Sequence, residues 1–132
     1  MASLYSLVFY APPAAVSACK AAIFAAGAGR FPAPSKYTEC CWSSTGTGQF
    51  RPGDAAQPHI GSVGILEETP EVRVETICVG TDVARKAVEA LKACVSSPSL
   101  NYRLAKPHQL TYSAHPYEEP AYHVYKHQDL GL

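Results

Sequence analysis

The residues best suited to chemistry lie together in one short stretch, Ser113–Tyr122. It holds one histidine, two prolines, two tyrosines and two adjacent carboxylates. Imidazole and carboxylate groups are the usual proton carriers and metal ligands of proteins. The first hypothesis is therefore a site for a small ligand or a metal ion, built from His115, Tyr117, Glu118 and Glu119.

Strand geometry argues against the metal version of this hypothesis. On an extended strand, His115 and Glu118 point to opposite faces because side chains alternate. His115 and Glu119 share a face but lie about 13 Å apart at the usual rise per residue, too far to bind one ion without a bend. The alternative is that the prolines shape an edge strand and the tyrosines fill an interface.

Further candidate metal ligands lie elsewhere in the chain. Glu39 and Cys41 are two residues apart on a predicted strand, so they share a face and could hold a soft metal ion or line an interface. His59 lies in a proline-rich loop and could join a site across a subunit boundary. The metal hypothesis, with a divalent ion as the only cofactor considered, therefore concerns His115, Glu119, Glu39, Cys41 and His59.

A second candidate for ligand binding is the run Thr45-Gly46-Thr47-Gly48. A turn here could cradle an anion with its backbone N–H groups, and Thr45 and Thr47 would contact the ligand. The run lacks the lysine of a nucleotide-binding P-loop. Arg51 is the nearby cation that could hold a phosphate or carboxylate, or pair with a glutamate of a neighbouring subunit. The alternative is a tight turn that leads into a strand.

Composition narrows the class of protein. Lys+Arg and Asp+Glu are both 11, so no basic field points to nucleic acid, and no apolar run is long enough to cross a membrane. The cysteines number five, an odd count without a regular framework. We therefore expect free, mostly buried thiols in a reducing compartment, the cytoplasm.

The order of predicted elements gives the fold class. Strands are predicted at Leu4–Tyr10, Lys36–Ser44, Val72–Val79 and Tyr112–Tyr125, and helices at Pro13–Ala26 and Thr81–Ser96. This βαββαβ order is the α+β, ferredoxin-like pattern, a four-stranded antiparallel sheet with two helices on one face. We treat 1–132 as a single domain with an irregular insertion at 98–112.

The first strand predicts self-association. Leu4–Tyr10 is apolar on both faces, whereas two helices can cover only one face of the sheet. A monomer would leave an apolar patch larger than proteins in water usually tolerate. We therefore expect copies of the chain to meet through the open face.

Three separated segments, in this order, resemble one family: Gly27–Arg30, Ser44–Pro52 with Ile60–Gly64, and His115–Tyr122. They look like the inserted middle domain of the Nif-three-like proteins, which are often described as type-two homologues of GTP cyclohydrolase I. That domain is similar to the PII and CutA proteins, so the resemblance implies a ferredoxin-like homotrimer. The family's two-metal site lies in flanking domains, and we expect this chain to correspond to the insert without them.

The resemblance favours a binding or regulatory module over an enzyme. Its clefts between subunits, lined by Thr45–Pro52 and His115–Tyr122, would hold a small ligand or a metal ion. One alternative is a metal-dependent hydrolase, as the cyclohydrolase name suggests. Another is a structural module that docks on a protein partner through its edge strand.

Overall fold

The structure, a computed structural model, describes residues 2–56, 61–96 and 120–131. The strands are β1 (Leu4–Ala11), β2 (Cys41–Phe50), β3 (Glu67–Val79) and β4 (Ala121–Lys126); the helices are a 3-10 turn (Pro13–Ala15), α1 (Val16–Ala25) and α2 (Thr81–Ser96). The order is βαββαβ, which confirms the predicted ferredoxin-like class.

The four strands form one antiparallel sheet in the order β2-β3-β1-β4. The central strand β1 pairs with β3 from Leu4↔Val79 to Ala11↔Val72 and with β4 from Tyr5↔Lys126 to Tyr10↔Ala121. In the described part of the chain β2 and β4 are therefore the outer strands.

The core lies between the sheet and the two helices. Phe9 of β1, Val74 of β3, Ile23 of α1 and Leu91 of α2 are each fully buried there. On β1 and β3 the core positions alternate, as expected for a sheet covered by helices on one side. Val8 is 1% exposed but does not belong to this cluster, because it points to the opposite face. β1 therefore has buried residues on both faces within the single chain, and the predicted cover of the open face by other copies of the chain stays a prediction.

Gly29 ties the end of α1 to the sheet. Its φ of 80° is in the left-handed region, and its N–H donates to Ile77 O at 2.7 Å while its carbonyl accepts from Cys40 N at 2.8 Å. A Cβ here would lie 2.9 Å from Cys40 N and 2.9 Å from Phe24 Cε1. Glycine is therefore required both by the backbone conformation and by the close approach of β2.

The second strand differs from its predicted bounds. Lys36–Ser44 was the predicted strand, whereas β2 begins at Cys41 and continues to Phe50. It begins late because Glu39, with φ of 57°, is in the left-handed region and interrupts the extended chain. It continues through Thr45–Gly48 because every residue there pairs with β3, which itself begins at Glu67 rather than Val72.

The helices and the first strand agree with their predicted bounds to within one residue at most ends. The last strand was predicted at Tyr112–Tyr125, whereas β4 is Ala121–Lys126 and Pro120 lies outside it. The predicted insertion at 98–112 and residues 112–119 lie outside the described residues. The single-domain assignment of 1–132 stays a prediction.

Candidate functional site

The face of the sheet opposite α1 and α2, called the open face here, carries a mixed set of side chains. Alternation along the paired strands puts polar and aromatic groups around the buried Val8. These side chains are Ser6 and Tyr10 of β1, Trp42 of β2, Arg73 and Glu75 of β3, and His123 and Tyr125 of β4. Because Trp42 is 58% and Tyr125 56% exposed, large aromatic surface remains uncovered.

Arg73 is the best-anchored cation of the open face. Its Cζ lies 6.0 Å from the centroid of the Trp42 ring, within the range of a cation–π contact. Its Nη2 lies 3.4 Å from Glu75 Oε1. The hydrogen bond to the Tyr10 hydroxyl is the main reason that the pKa of Arg73 is raised, and the Glu75 carboxylate adds to it. The guanidinium is therefore charged at every ordinary pH and held in place.

A cavity of about 320 Å³ opens beside this arginine. Its volume is at the lower end of the range for small-molecule sites. Its walls combine two aromatic rings, the Ser44 hydroxyl, a guanidinium and a carboxylate, with the Thr45–Thr47 segment of β2 as a further wall. The lining residues are Tyr10, Trp42, Ser44, Thr45, Gly46, Thr47, Glu71 and Arg73. Such a set suits a ligand that has a planar ring and polar or anionic groups.

The structure brings Thr45 and Thr47 to this cavity, but in a conformation that the sequence did not predict. Both residues lie within β2, paired with Val72 and Pro70 of β3, so the predicted turn at Thr45–Gly48 is wrong. An extended strand that pairs its backbone has no cradle of convergent N–H groups. By alternation along β2 their side chains point to the face opposite Trp42 and Ser44, so it is their backbone that borders the cavity.

Arg51 is engaged elsewhere. Its Nη1 donates to Gly64 O at 2.9 Å, and Gly64 N donates to Pro52 O at 2.7 Å. These two bonds join the segment after β2 to the segment before β3. The structure therefore gives Arg51 a role in closing this connection, and it does not line the cavity.

The predicted soft-metal pair does not share a strand face. Glu39 precedes β2 in the left-handed conformation, Cys41 is the first residue of β2, and both side chains are exposed. Within the described ranges no group of three or more His, Cys, Asp or Glu side chains could hold a metal ion. His59, His115, Tyr117, Glu118 and Glu119 lie outside the described residues, so their predicted roles stay predictions.

The C-terminal histidines have separate partners. The His123 ring lies 6.2 Å from Tyr10 in an edge-to-face arrangement and 6.1 Å from Tyr125. His127 lies beyond β4, where its Nε2 is 2.7 Å from Ser6 Oγ and its backbone N donates to Leu4 O. Together they extend the polar, aromatic character of the open face to its β4 side.

Sequence reasoning missed Tyr10, Trp42 and Arg73. Trp42 and Arg73 lie on different strands, and only the register Ser44↔Arg73 brings them together. The available signal was the alternation of side chains. Arg73 lies between the apolar Val72 and Val74 of β3 and so points to the other face, and Trp42 lies on that same face once β2 pairs with β3. The register itself was not predictable, because the bounds of β2 were wrong.

The part of the chain that the structure describes contains no helix long and apolar enough to span a membrane. All five cysteines are free, with Cys19, Cys78 and Cys94 buried, Cys40 half-buried and Cys41 exposed. This agrees with the expectation of free, mostly buried thiols.

Comparisons of the sequence with known proteins found close relatives. No family model matches the chain. It is 39% identical over 125 residues to a GTP cyclohydrolase 1 type 2 homolog of Mycobacterium leprae, covering 95% of this chain and 26% of the relative. It is 38% identical over 122 residues to the homolog of Bacillus subtilis, covering 92% and 26%. The chain thus spans about a quarter of the length of the curated relatives it matches.

Comparisons of the fold agree with the sequence. A Bacillus cereus protein related to NIF3 superposes with a TM-score of 0.67 at 30% identity, covering 97% of this chain and 26% of that chain. B. subtilis GlnK superposes with a TM-score of 0.52 at 12% identity, covering 96% and 86%. A complex of GlnK with ATP gives 0.50 at 11% identity, covering 96% and 84%. The likeness to GlnK shows a PII-like fold.

Proposed function

This chain belongs to the Nif-three-like family as a PII-like portion of it, and we propose that it is a homotrimeric module that binds a nucleotide. The observation that carries the proposal is the cavity of about 320 Å³ beside Arg73 and Trp42. Regulation or recognition through a bound ligand is the role that this geometry supports. The activity suggested by the relatives' name is a separate hypothesis.

The open face supports assembly. It exposes more than half of the Trp42 and Tyr125 side chains while burying Val8 beneath them. The outer strands β2 and β4 form the two opposite edges of the described sheet. Different surfaces that meet head to tail close into a ring when the rotation allows it. The number of three subunits comes from the resemblance to PII proteins.

The cavity chemistry supports a nucleotide as the ligand. The exposed Trp42 indole offers a flat surface on which a base can stack, as aromatic side chains do in many nucleotide sites. Arg73 offers a planar, always charged donor for phosphate. The Ser44 hydroxyl adds a hydrogen-bonding group on β2. ATP is the ligand in the GlnK complex, and GTP appears in the relatives' name.

The cavity is open to one side, so a neighbouring subunit would complete it. We propose that the segment His115–Tyr122 closes the cleft, with His115, Tyr117, Glu118 and Glu119 as additional ligand contacts. This part of the proposal rests on the sequence resemblance alone. If a divalent metal ion is present, it would accompany the phosphates of the nucleotide rather than occupy a preformed cluster of protein ligands.

Isothermal titration with ATP and GTP tests the proposal. We expect saturable binding that the substitution Arg73→Gln weakens by roughly tenfold or more, since a hydrogen bond to a charged group contributes about 1.5–3 kcal/mol. The control is Arg85→Gln, which removes the same charge from an exposed position on α2. No measurable binding of either nucleotide, or equal weakening by both substitutions, would contradict the proposal.

Steady hydrolysis of GTP that depends on a divalent ion would instead support the hydrolase hypothesis. Elemental analysis of the purified chain, with His115→Ala as the control, tests the metal hypothesis in the same preparation. Stoichiometric metal that is lost in the variant would support a metal site at His115.

A further inference from the structure

Two buried thiols face each other between the helices. Cys19 on α1 and Cys94 on α2 lie with their Sγ atoms 3.9 Å apart. Their exposed fractions are 1% and 3%, and both belong to the core cluster. This pair lies on the helix side of the sheet, away from the cavity at Trp42. Neither the fold nor the proposed function requires two thiols at this contact.

We propose that Cys19 and Cys94 form a dithiol that hydrogen peroxide oxidises to a disulfide linking α1 to α2. The sulfur atoms are 3.9 Å apart, so a gap of less than 2 Å has to close to reach a bond of about 2.05 Å. The two positions are 75 residues apart in sequence. The disulfide would therefore close a long loop and join the first half of the fold to the second.

The directions of the two pKa shifts indicate which thiol attacks the peroxide and which one then forms the disulfide. When Cys94 ionises, the Cys19 S–H donates a hydrogen bond to it, and this bond lowers the pKa of Cys94. The same hydrogen bond, with burial as the second cause, raises the pKa of Cys19. Since the thiolate is the nucleophile in thiol chemistry, Cys94 attacks first and Cys19 resolves.

The reaction needs hydrogen peroxide as its oxidant and balances as follows. The Cys94 thiolate attacks one peroxide oxygen, the O–O bond breaks, and the leaving hydroxide takes up a proton to give water and a sulfenic acid on Cys94. The Cys19 sulfur then attacks Cys94 Sγ, the S–S bond forms, and the S–O bond breaks. The second water leaves with the proton of Cys19. Two thiols are oxidised by two electrons, and one peroxide is reduced to two molecules of water.

The chain contains its own controls for this reaction. Cys78 is as deeply buried, and burial alone raises its pKa to about 11. Cys41 is exposed, so its oxidation shows how a solvent-accessible thiol reacts under the same conditions. If proximity of two sulfur atoms drives oxidation, Cys19 and Cys94 should react while Cys78 does not.

Peptide mapping by mass spectrometry tests the proposal on the 132-residue chain. The folded protein is treated with hydrogen peroxide, quenched, unfolded in an alkylating reagent, and digested. We expect a linked pair of peptides that contain Cys19 and Cys94, lighter by two hydrogens and separated again by dithiothreitol. Alkylated Cys78 should persist. Free Cys19 and Cys94 after Cys41 has been oxidised, or their conversion to sulfonic acids without linkage, would overturn the proposal.

A second measurement does not depend on the mapping. The oxidised wild-type chain should show a higher Tm than the reduced chain, because the new cross-link restricts the unfolded state. The variant Cys19→Ala should lose this shift and should accumulate irreversibly oxidised Cys94. An equal Tm shift in the variant would contradict the assignment. Both results are independent of nucleotide binding, so failure here leaves the proposed function untouched, and the reverse also holds.

Discussion

The guanidinium of Arg73 lies 6.0 Å from the ring centroid of Trp42, diagonally across the paired strands β2 and β3. Ser44 is the direct partner of Arg73, and Glu75 is that of Trp42, so the contact spans two positions of the register. Diagonal neighbours in a sheet are close enough for long and aromatic side chains to touch. This one relationship puts a fixed positive charge beside an exposed aromatic ring at the mouth of a cavity.

Removing the ring should reduce nucleotide binding with little effect on folding. We predict that Trp42→Ala costs about 1–3 kcal/mol of binding free energy, the range for loss of one stacked base. The free energy of unfolding of the monomer should change by only about 0.5 kcal/mol, because the ring is 58% exposed. Calorimetric titration and urea unfolding measure the two effects. Tyr37→Ala, at another exposed aromatic outside the cavity, is the control and should bind normally.

Replacing Arg51 distinguishes the site seen in the structure from the site predicted from the sequence. Because its guanidinium is bonded to Gly64 O rather than directed into the cavity, Arg51→Ala should leave the Kd for nucleotide unchanged. If Arg51 contacts phosphate, as the sequence suggested, the Kd should rise as it does for Arg73→Gln. The same titration, with the two variants side by side, decides between these outcomes.

Two glycines provide a matched test of the junction between α1 and β2. Gly29→Ala should destabilise the fold by at least about 1–2 kcal/mol, since φ is 80° and the new Cβ would meet Cys40 N at 2.9 Å. Gly53→Ala has open space around the new Cβ and should be close to neutral. Urea denaturation measures both. Similar losses of stability in the two variants would show that the close approach of Cys40 does not affect the free energy of unfolding.

Cys78 should make stability depend on pH in the alkaline range. Burial raises its pKa from 9.0 to about 11, so between these values the unfolded chain binds fewer protons than the folded chain. The stability that protonated Cys78 contributes is complete below pH 9.0 and is lost as pH rises through about 11; two pKa units correspond to at most about 3 kcal/mol.

The measurement is urea unfolding under reducing conditions at about pH 8 and about pH 10.5, with Cys78→Ala as the comparison. The stability difference between the two proteins should shrink at the higher pH, because all other titrating groups are common to both. A difference that is constant with pH would contradict the raised pKa of Cys78.

Much of the fold could be predicted because its patterns are local. The apolar run Leu4–Tyr10, the helical periodicity after Pro13 and the periodicity after Thr81 each identify their element without knowledge of its neighbours. The apolar second face of Leu4–Tyr10 was also apparent from the sequence, and Val8 on that face is 1% exposed within the single chain.

The second strand could not be predicted because its pattern is weak. Gly46 and Gly48 disfavour a strand on their own, and ten backbone pairings with β3 override that preference. The site was missed for the same reason. Thr45 and Thr47 were selected for the wrong conformation, and Trp42 and Arg73 become neighbours only through the register of that strand.

Sedimentation equilibrium of the 132-residue chain at micromolar concentration tests the central claim most directly. The account predicts a single species of about three times the 14.1 kDa chain mass, since other subunits cover the open face around Tyr125 and border the cleft at Trp42. Substitution of Tyr125 by Arg should shift that species toward lower mass. A wild-type chain that sediments as a 14.1 kDa monomer would contradict assembly through the open face and, with it, the completed cleft.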